Sequence, residues 1–359
     1  MWTGSCHWRM DGCMSPRRSL FSRMQFRLSE AARRRRFARA LEHVQGKGFE
    51  VPEGEVLAIV LVRDGSYYLD AFFDYYRRLG IRYFAFIDNG SRDDTVARIA
   101  AQDSCVIDRV DLPLAQYEDL MRGYPAQTYG RNRWCLYVDM DEQFDFKGRE
   151  SRGLHHLIQY LEARGDTALL AQMVEMFPRG TLASVRDLSF AESLRTFDHY
   201  DISTVDSFDY HAPELPFEAL LRDNSLSDAA LKFKFGGVRG KVFGEACCLT
   251  KHPLLFNGPG VIPAPHPHLS RNVAVSDFSA VIRHYKFAGN IAVRDAASAR
   301  SGDLAHGEDR ARLSVLATQV ALSLYSQDAQ RWAGLEPLYD QGFVIRSSAY
   351  AAHLEDRDT

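Results

Sequence analysis

The composition of this chain excludes several classes of protein. Its 359 residues carry 44 Lys and Arg against 47 Asp and Glu, a formal net charge of −3, which gives no reason to expect nucleic acid as a partner. No stretch reaches the roughly 18 uninterrupted apolar residues of a membrane-spanning helix, and the six cysteines show no Cys-x-x-Cys spacing. We therefore expect a soluble protein of the reducing cytoplasm, long enough for one large domain or two.

Residues 1–50 are predicted to form a basic extension, since they hold eleven Lys or Arg against four Asp or Glu. From Ser29 to Val44 the pattern favours a helix with Phe37, Leu41 and Val44 on one side. Two interpretations stay open. The helix rests on the anionic inner face of a membrane, or the segment is a solvated, partly disordered leader.

A strand–helix–strand unit follows the extension. Residues 56–62 and 83–87 are short apolar runs typical of core strands, and residues 67–79 have helical periodicity. Gly80 suits the C-terminal cap of that helix. Such units build parallel sheets, so we expect an α/β fold.

Two carboxylates stand at the end of a third apolar run, residues 134–138. Asp139 and Asp141 follow it directly, and Asp88 ends an earlier strand in the same way. Ligand sites in open α/β sheets lie at the carboxyl ends of strands, so these acids should face one crevice. Carboxylate oxygens suit Mg²⁺ or Mn²⁺ shared with the oxygens of a diphosphate.

Several motifs in this order resemble the bacterial family 2 glycosyltransferases, in the branch similar to family 92. The resemblance spans roughly residues 55–290 and implies a GT-A fold with a Rossmann-like, mostly parallel central sheet flanked by helices. It also implies sugar transfer from a nucleotide-sugar donor, favouring a UDP-sugar, with bound Mn²⁺ or Mg²⁺. The acceptor would be a hydroxyl of a glycan, a lipid-linked sugar or a polymer. The motifs are Val62-Arg63-Asp64, Ile87-Asp88-Asn89-Gly90-Ser91, Tyr137-Val138-Asp139-Met140-Asp141-Glu142, Lys251-His252-Pro253-Leu254 and Arg283-His284-Tyr285-Lys286-Phe287.

The resemblance implies a nucleotide pocket built from the first two strands. Arg63 and Asp64 would line the base pocket, and Asp88 would accept a hydrogen bond from the nucleobase or ribose. Gly65 departs from the larger polar residue usual at its position. For Asp88 the residues leave a second interpretation open, a turn-forming aspartate ahead of Asn89.

The resemblance also implies a metal site. Asp141 would be a direct ligand, Asp139 would reach the ribose or, through water, the metal, and His284 would be the third protein ligand. Only a neutral imidazole binds metal, so affinity should fall as pH drops through about 6.5. The alternative is a packed structural histidine.

Two further roles complete the expected site. The candidates to bind the diphosphate, where catalysis requires positive charge as negative charge develops, are Arg131, Arg239, Lys241, Lys251 and Lys286. An inverting transferase also needs a carboxylate base. Glu175, at the end of an apolar strand, is the candidate for it; the alternative is a buried acid paired with an arginine.

The domain organisation follows from these assignments. We expect a GT-A domain over residues 51–295 and a C-terminal helical segment over residues 296–359, packed on that domain and frayed at its end. Within this segment residues 308–324 should form a helix, with an apolar face of Leu313, Leu316, Val320 and Leu324.

Two other functions remain as alternatives to a glycosyltransferase. One is a nucleotide-sugar- or glycan-binding protein of the same fold that lacks transfer activity. The other is a metal-dependent phosphohydrolase built around Asp139 and Asp141, which would normally carry a Ser or Thr soon after the acids; Glu142-Gln143-Phe144 does not fit.

Overall fold

The computed structural model describes residues 20–301, 307–319 and 321–356 of the protein. Its helices are α1 (Leu20–Ala40), α2 (Leu69–Arg78), α3 (Thr95–Ala100), α4 (Leu114–Thr128), α5 (Gly153–Arg164), α6 (Leu182–Val185), α7 (Phe190–Thr196), α8 (Glu218–Leu221), α9 (Gly237–Phe243), α10 (Ile291–Ser301), α11 (Glu308–Thr318), α12 (Glu336–Asp340) and α13 (Ser348–Glu355). Its strands are β1 (Leu41–Gln45), β2 (Leu57–Val62), β3 (Tyr83–Asp88), β4 (Cys105–Val110), β5 (Trp134–Tyr137), β6 (Glu142–Asp145), β7 (Ala168–Glu175), β8 (His199–Tyr200), β9 (Val205–Asp209), β10 (Ser225–Leu226), β11 (Lys232–Gly236), β12 (Thr250–Phe256), β13 (Ile262–His266), β14 (Leu269–Arg271), β15 (Ala274–His284) and β16 (Gln330–Arg331).

One large sheet organises the described chain. Its strand order is β1-β4-β3-β2-β5-β12-β7-β15-β10, and β6 also pairs with β15. Strands β4, β3, β2 and β5 run parallel, as do β7, β15 and β10. Strand β12 lies antiparallel between β5 and β7 and joins these two parallel halves. The predicted α/β fold with a central, mostly parallel sheet flanked by helices is confirmed.

Aromatic packing fixes the first strand–helix–strand unit on the sheet. The buried rings of Phe72 and Phe73 on α2 contact Phe84 and Phe86 on β3, with ring centroids 5.2–6.3 Å apart. Helix α2 ends as predicted, because Gly80 has φ +100°, a conformation that glycine adopts without strain. The predicted bounds of β2, α2 and β3 therefore agree with the structure to within about two residues.

The N-terminal segment differs from the prediction. Helix α1 ends at Ala40, and Leu41–Gln45 instead form strand β1, which pairs with β4 at the edge of the sheet. Phe37 on α1 is buried, and Arg33 forms ion pairs with Glu30 and with Asp119 of α4. The sheet thus begins before residue 51, and part of the basic run packs on the protein. Among the described residues, no helix is both long and apolar enough to cross a membrane.

The C-terminal segment also differs in detail. Helix α11 ends at Thr318, short of the predicted residue 324, and Val320 lies outside the described residues. This helix buries Asp309 and Arg312, whereas Leu313 and Leu316 of the predicted apolar face are only half-buried; Leu324, which lies beyond the end of the helix, is buried. Burial of polar rather than apolar side chains means that α11 docks mainly through ionic contacts.

Candidate active site

A cavity of about 360 Å³ opens at the carboxyl ends of the central strands. The loops after β2, β3 and β5 contribute to it, together with the start of β12, the end of β15 and one face of α10. This is the edge where open α/β sheets bind ligands. Its polar lining comprises Arg63, Asn89, Arg122, Asp139, Asp141, Glu142, Arg239, Lys251, His268, His284, Lys286, Arg294 and Ser298.

A tight turn after β5 sets the positions of the two acids. The Glu142 backbone N–H donates to the Asp139 carbonyl at 3.1 Å, and the Asp139 N–H donates to Glu142 Oε2 at 3.2 Å. The chain then enters β6, where Glu142 lies opposite His284 of β15. The Tyr285 N–H donates to the Asp141 carbonyl at 2.8 Å, so the turn holds Asp141 beside His284.

Asp139 is bound by two side-chain cations. Its Oδ1 accepts from Arg122 Nη2 at 3.0 Å and its Oδ2 from Lys251 Nζ at 2.9 Å, and Lys251 also pairs with Glu142. Burial opposes ionisation, yet Arg122 and Lys251 hold the pKa of Asp139 well below its usual range. Both carboxylate oxygens are therefore engaged by the protein. Lys251 compensates the charge of the turn and also lines the cavity; its contact with a diphosphate stays a prediction.

Asp141 and His284 form the pair best suited to a divalent cation. Asp141 Oδ2 lies 3.3 Å from His284 Nε2, and His284 Nδ1 lies 3.0 Å from Glu175 Oε1. Metal-binding histidines commonly donate their second ring N–H to a carboxylate in this way. Among the described residues, no group of three His, Cys, Asp or Glu is arranged as a metal site. These two residues fit as partial ligands, with the remaining donors supplied by bound oxygens.

The same contacts control the protonation of His284. Burial lowers the pKa of this imidazole, but Glu175 and Asp141 outweigh burial and raise it to about 9. The pKa of Asp141 is lowered, because the neighbouring His284 outweighs burial. Without a metal, an imidazolium therefore bridges two carboxylates. A cation bound at Nε2 would have to replace its proton.

A network of alternating acidic and basic side chains continues behind His284. Arg239 Nε lies 3.2 Å from Glu175 and 3.4 Å from Glu245. Arg312 of α11, with 1% of its side chain exposed, contacts Glu245 at 2.8 Å and binds both oxygens of Asp295 on α10. Sequence periodicity gave no signal for this network, because its members come from four separate elements and, for Glu245, a loop.

The remaining wall of the cavity is cationic. Burial lowers the pKa of Lys286, and Arg312, Arg294 and Arg239 lower it further, although Asp141 acts in the opposite direction. The lowered pKa indicates a surplus of positive charge around Lys286. Arg294 is held by the Tyr68 hydroxyl and by the Lys286 and Ala288 carbonyls. An anion bound here would relieve the mutual repulsion of these groups. Arg63 also lines the cavity, as predicted.

Four predicted site residues do not line this cavity. Asp88 is fully buried, and both its oxygens accept the Ser91 N–H at 3.1 and 3.2 Å, which favours the turn role. Asp64 accepts the Arg92 N–H, and Arg131 lines a separate depression. Their contacts with a nucleotide remain predictions, and the geometry of the side chains does not favour them.

Glu175 is the fourth of these residues. Only 2% of its side chain is exposed, and its Oε1 is held by His284 and Arg239. A general base must come within hydrogen-bond reach of the acceptor hydroxyl. Behind His284, Glu175 is placed instead to orient the imidazole, as in the alternative of a buried acid paired with an arginine.

Comparisons with known proteins add little to this description. No family model and no curated protein matches the chain. Among solved structures, S. aureus TarS residues 1–349 aligns at 14% identity over 37% of this chain and 40% of that one, with a TM-score of 0.27. A second S. aureus TarS structure aligns at 13% identity over 37% of this chain and 24% of that one, with a TM-score of 0.28. Likeness this weak carries no argument about function, and the chain spans less than half of either structure.

Proposed function

We propose that this protein is a metal-dependent glycosyltransferase of GT-A fold. It transfers a sugar from a nucleotide-sugar donor, a UDP-sugar, to an acceptor hydroxyl with inversion. The observation that supports this most strongly is the pairing of Asp141 with His284 beside a cationic wall, at the carboxyl ends of the sheet. The order of the motifs along the chain, with its resemblance to family 2 glycosyltransferases, agrees with it.

The proposal gives each lining residue a task. Asp141 and His284 hold Mn²⁺ or Mg²⁺, which when bound supplies positive charge to the diphosphate leaving group. Lys286 and Arg294 contact phosphate oxygens, and Arg63 lies beside the nucleoside. Glu175 orients His284 and is a positioning residue.

Asp139 has a different task from its neighbour Asp141. Arg122 and Lys251 each contact one of its oxygens, and we assign Asp139 the task of keeping the turn and these two cations in place, with contact to the metal only through water.

A second candidate function is donor binding without transfer. One observation favours it: Glu175, the expected base, is shielded from the cavity by His284. The acids that do line the cavity already form ion pairs: Asp139 and Glu142 pair with Lys251, and Asp141 pairs with His284. Transfer then requires that the acceptor bring its own base or that another lining group, such as His268, take the proton.

A thermal-shift panel tests the proposal. The protein is melted with UDP, GDP, ADP and their sugar conjugates, each with Mn²⁺ and with EDTA. We expect a rise in melting temperature that needs both the metal and one nucleoside diphosphate. Donor hydrolysis measured on the same samples then separates a transferase from a binding protein. Stabilisation by nucleotide alone, equal in EDTA, would contradict the metal-dependent mechanism.

A further inference from the structure

A second cavity, of about 530 Å³, lies between the hairpin β9–β11 and the C-terminal segment. It is separate from the candidate active site and shares no lining residue with it. Hydroxyl, amide, charged and aromatic side chains line it, among them Ser203, Ser207, Lys234, Asp328, Gln341 and Phe343. Most of these side chains are polar, so the cavity suits a polar ligand better than an apolar one.

Lys234 is the unusual group in this cavity. It is 8% exposed, and its Nζ donates to Ser207 Oγ at 2.9 Å. Within the described ranges, no carboxylate is close enough to form an ion pair with it. Lys232 lies on the same face of β11 and does have a partner, Asp209. The two lysines thus differ only in burial and pairing.

Burial without a counter-charge is costly for an ammonium group. Burial lowers the pKa of Lys234, and nearby Lys232 lowers it further. The ring of Phe343, 5.3 Å from Nζ, compensates only in part. An oxyanion entering the cavity would supply the missing charge, and the Ser207 hydroxyl could donate a second hydrogen bond to it.

The opposite side of the cavity suits hydroxyl groups. Asp328 Oδ2 accepts from Lys241 Nζ at 2.8 Å, and because Lys241 also pairs with the buried Asp201, it compensates the charge of Asp328 only in part. Among the described residues, Asp328 Oδ1 accepts no hydrogen bond and can receive one from a sugar hydroxyl.

We propose that this cavity binds a sugar that carries an oxyanion, either a carboxylate or a phosphate. The oxyanion contacts Lys234 and Ser207, and the sugar hydroxyls contact Asp328 and the amide groups at the rim. Recognition of the charged group distinguishes this ligand from a neutral sugar.

Backbone contacts connect the cavity to the candidate active site. The Lys234 N–H donates to Thr250 Oγ1 at 2.8 Å, and the next residue, Lys251, lines the active-site cavity. Strand β11 also continues into α9, which carries Arg239. This part of the inference rests on the proposed function: the anionic sugar belongs to the acceptor and anchors it beside the donor.

Calorimetric titration tests the binding site directly. The ligands are D-glucuronate, glucose 6-phosphate and D-glucose, titrated into the full chain and into Lys234→Gln and Lys232→Gln. We expect wild-type protein to bind at least one of the two anionic sugars and to bind glucose roughly ten- to hundredfold more weakly, the range for one hydrogen bond to a charged group. Lys234→Gln should lose this preference, and the matched control Lys232→Gln should keep it. Equal binding of glucose and both anionic sugars, or none of any, would overturn the proposal.

Two further measurements keep the outcome clear. Lys234→Arg retains the cation and should retain the preference for the anionic sugar, and melting temperatures report whether each variant is folded. If Lys234→Gln does not fold, the preference of the wild-type protein for anionic sugars over glucose still tests the proposal. Mn²⁺-dependent UDP binding is measured separately on the wild-type protein. Absence of Mn²⁺-dependent UDP binding would contradict the proposed glycosyltransferase function, whereas the result of the sugar titrations would remain valid.

Discussion

The protonation of His284 should couple stability to pH in the metal-free protein. Its pKa is raised from 6.5 to about 9 by Glu175 and Asp141 against the effect of burial, which corresponds to about 3 kcal/mol of folding free energy. Because the folded-state pKa is the higher one, this stabilisation is fully present below about pH 6.5. It is lost as pH rises through about 9.

Urea unfolding in EDTA, at about pH 6 and about pH 10, measures this contribution against His284→Gln. We expect the variant to be less stable than wild type by about 3 kcal/mol at the lower pH and nearly equal at the higher pH. The variant removes the titrating group, so ionisable residues that do not contact His284 cancel in the comparison. The same difference at both pH values would refute the assignment of the raised pKa to His284.

The affinity for a metal should depend on pH in the opposite direction to this stabilisation. If Mn²⁺ replaces the Nε2 proton, its affinity should rise about tenfold for each pH unit from about pH 6 to pH 8.5. The sequence alone predicted a midpoint near 6.5; the two carboxylates move the expected midpoint to about 9. An affinity that levels off near pH 6.5 would contradict this geometry.

Three other predictions concern the scaffold. Arg312→Met should lower the free energy of unfolding by about 3–5 kcal/mol, because it leaves the buried Asp295 without a partner and removes one of the two arginines beside Glu245; urea denaturation measures this, and a change below about 1 kcal/mol would contradict the proposed role. Lys251→Met should destabilise the turn, because Glu142 loses its ammonium partner and Asp139 keeps only Arg122, and it should weaken UDP binding measured by calorimetry; unchanged UDP affinity would mean that the turn does not organise the site. Deleting residues 1–50 should lower the free energy of unfolding, since it removes the edge strand β1 and the buried Phe37. A truncated chain with the urea midpoint of the wild-type protein would contradict this and would support the peripheral extension predicted from sequence.

Local patterns in the sequence predicted the elements that depend on local interactions. The apolar runs of β2, β3 and β5 and the periodic face of α2 were sufficient, because each buries one continuous set of side chains. The strand-end pattern predicted the positions of Asp139 and Asp141, and the resemblance to family 2 glycosyltransferases added His284 and, two residues on, Lys286; all four line one cavity.

Long-range pairing accounts for what the sequence did not predict. Leu41 and Val44 have helical spacing from Phe37, but pairing with β4 draws this segment into the sheet. The two cations on Asp139 come from α4 and β12, and no local signal links them to the acid. Helix α11 has leucines at helical spacing, yet it docks through Arg312, whose partners lie on distant segments.

The central claim is that Asp141 binds a metal that holds the diphosphate. Calorimetric titration of UDP in the presence of Mn²⁺ tests it on wild type and Asp141→Asn, with the exposed Asp74→Asn as a control. The amide removes the ligand charge without opening a cavity in the site. We expect Mn²⁺-dependent UDP binding to be retained in the control and abolished in Asp141→Asn, with both variants folded. Unchanged Mn²⁺-dependent affinity in Asp141→Asn would contradict the claim.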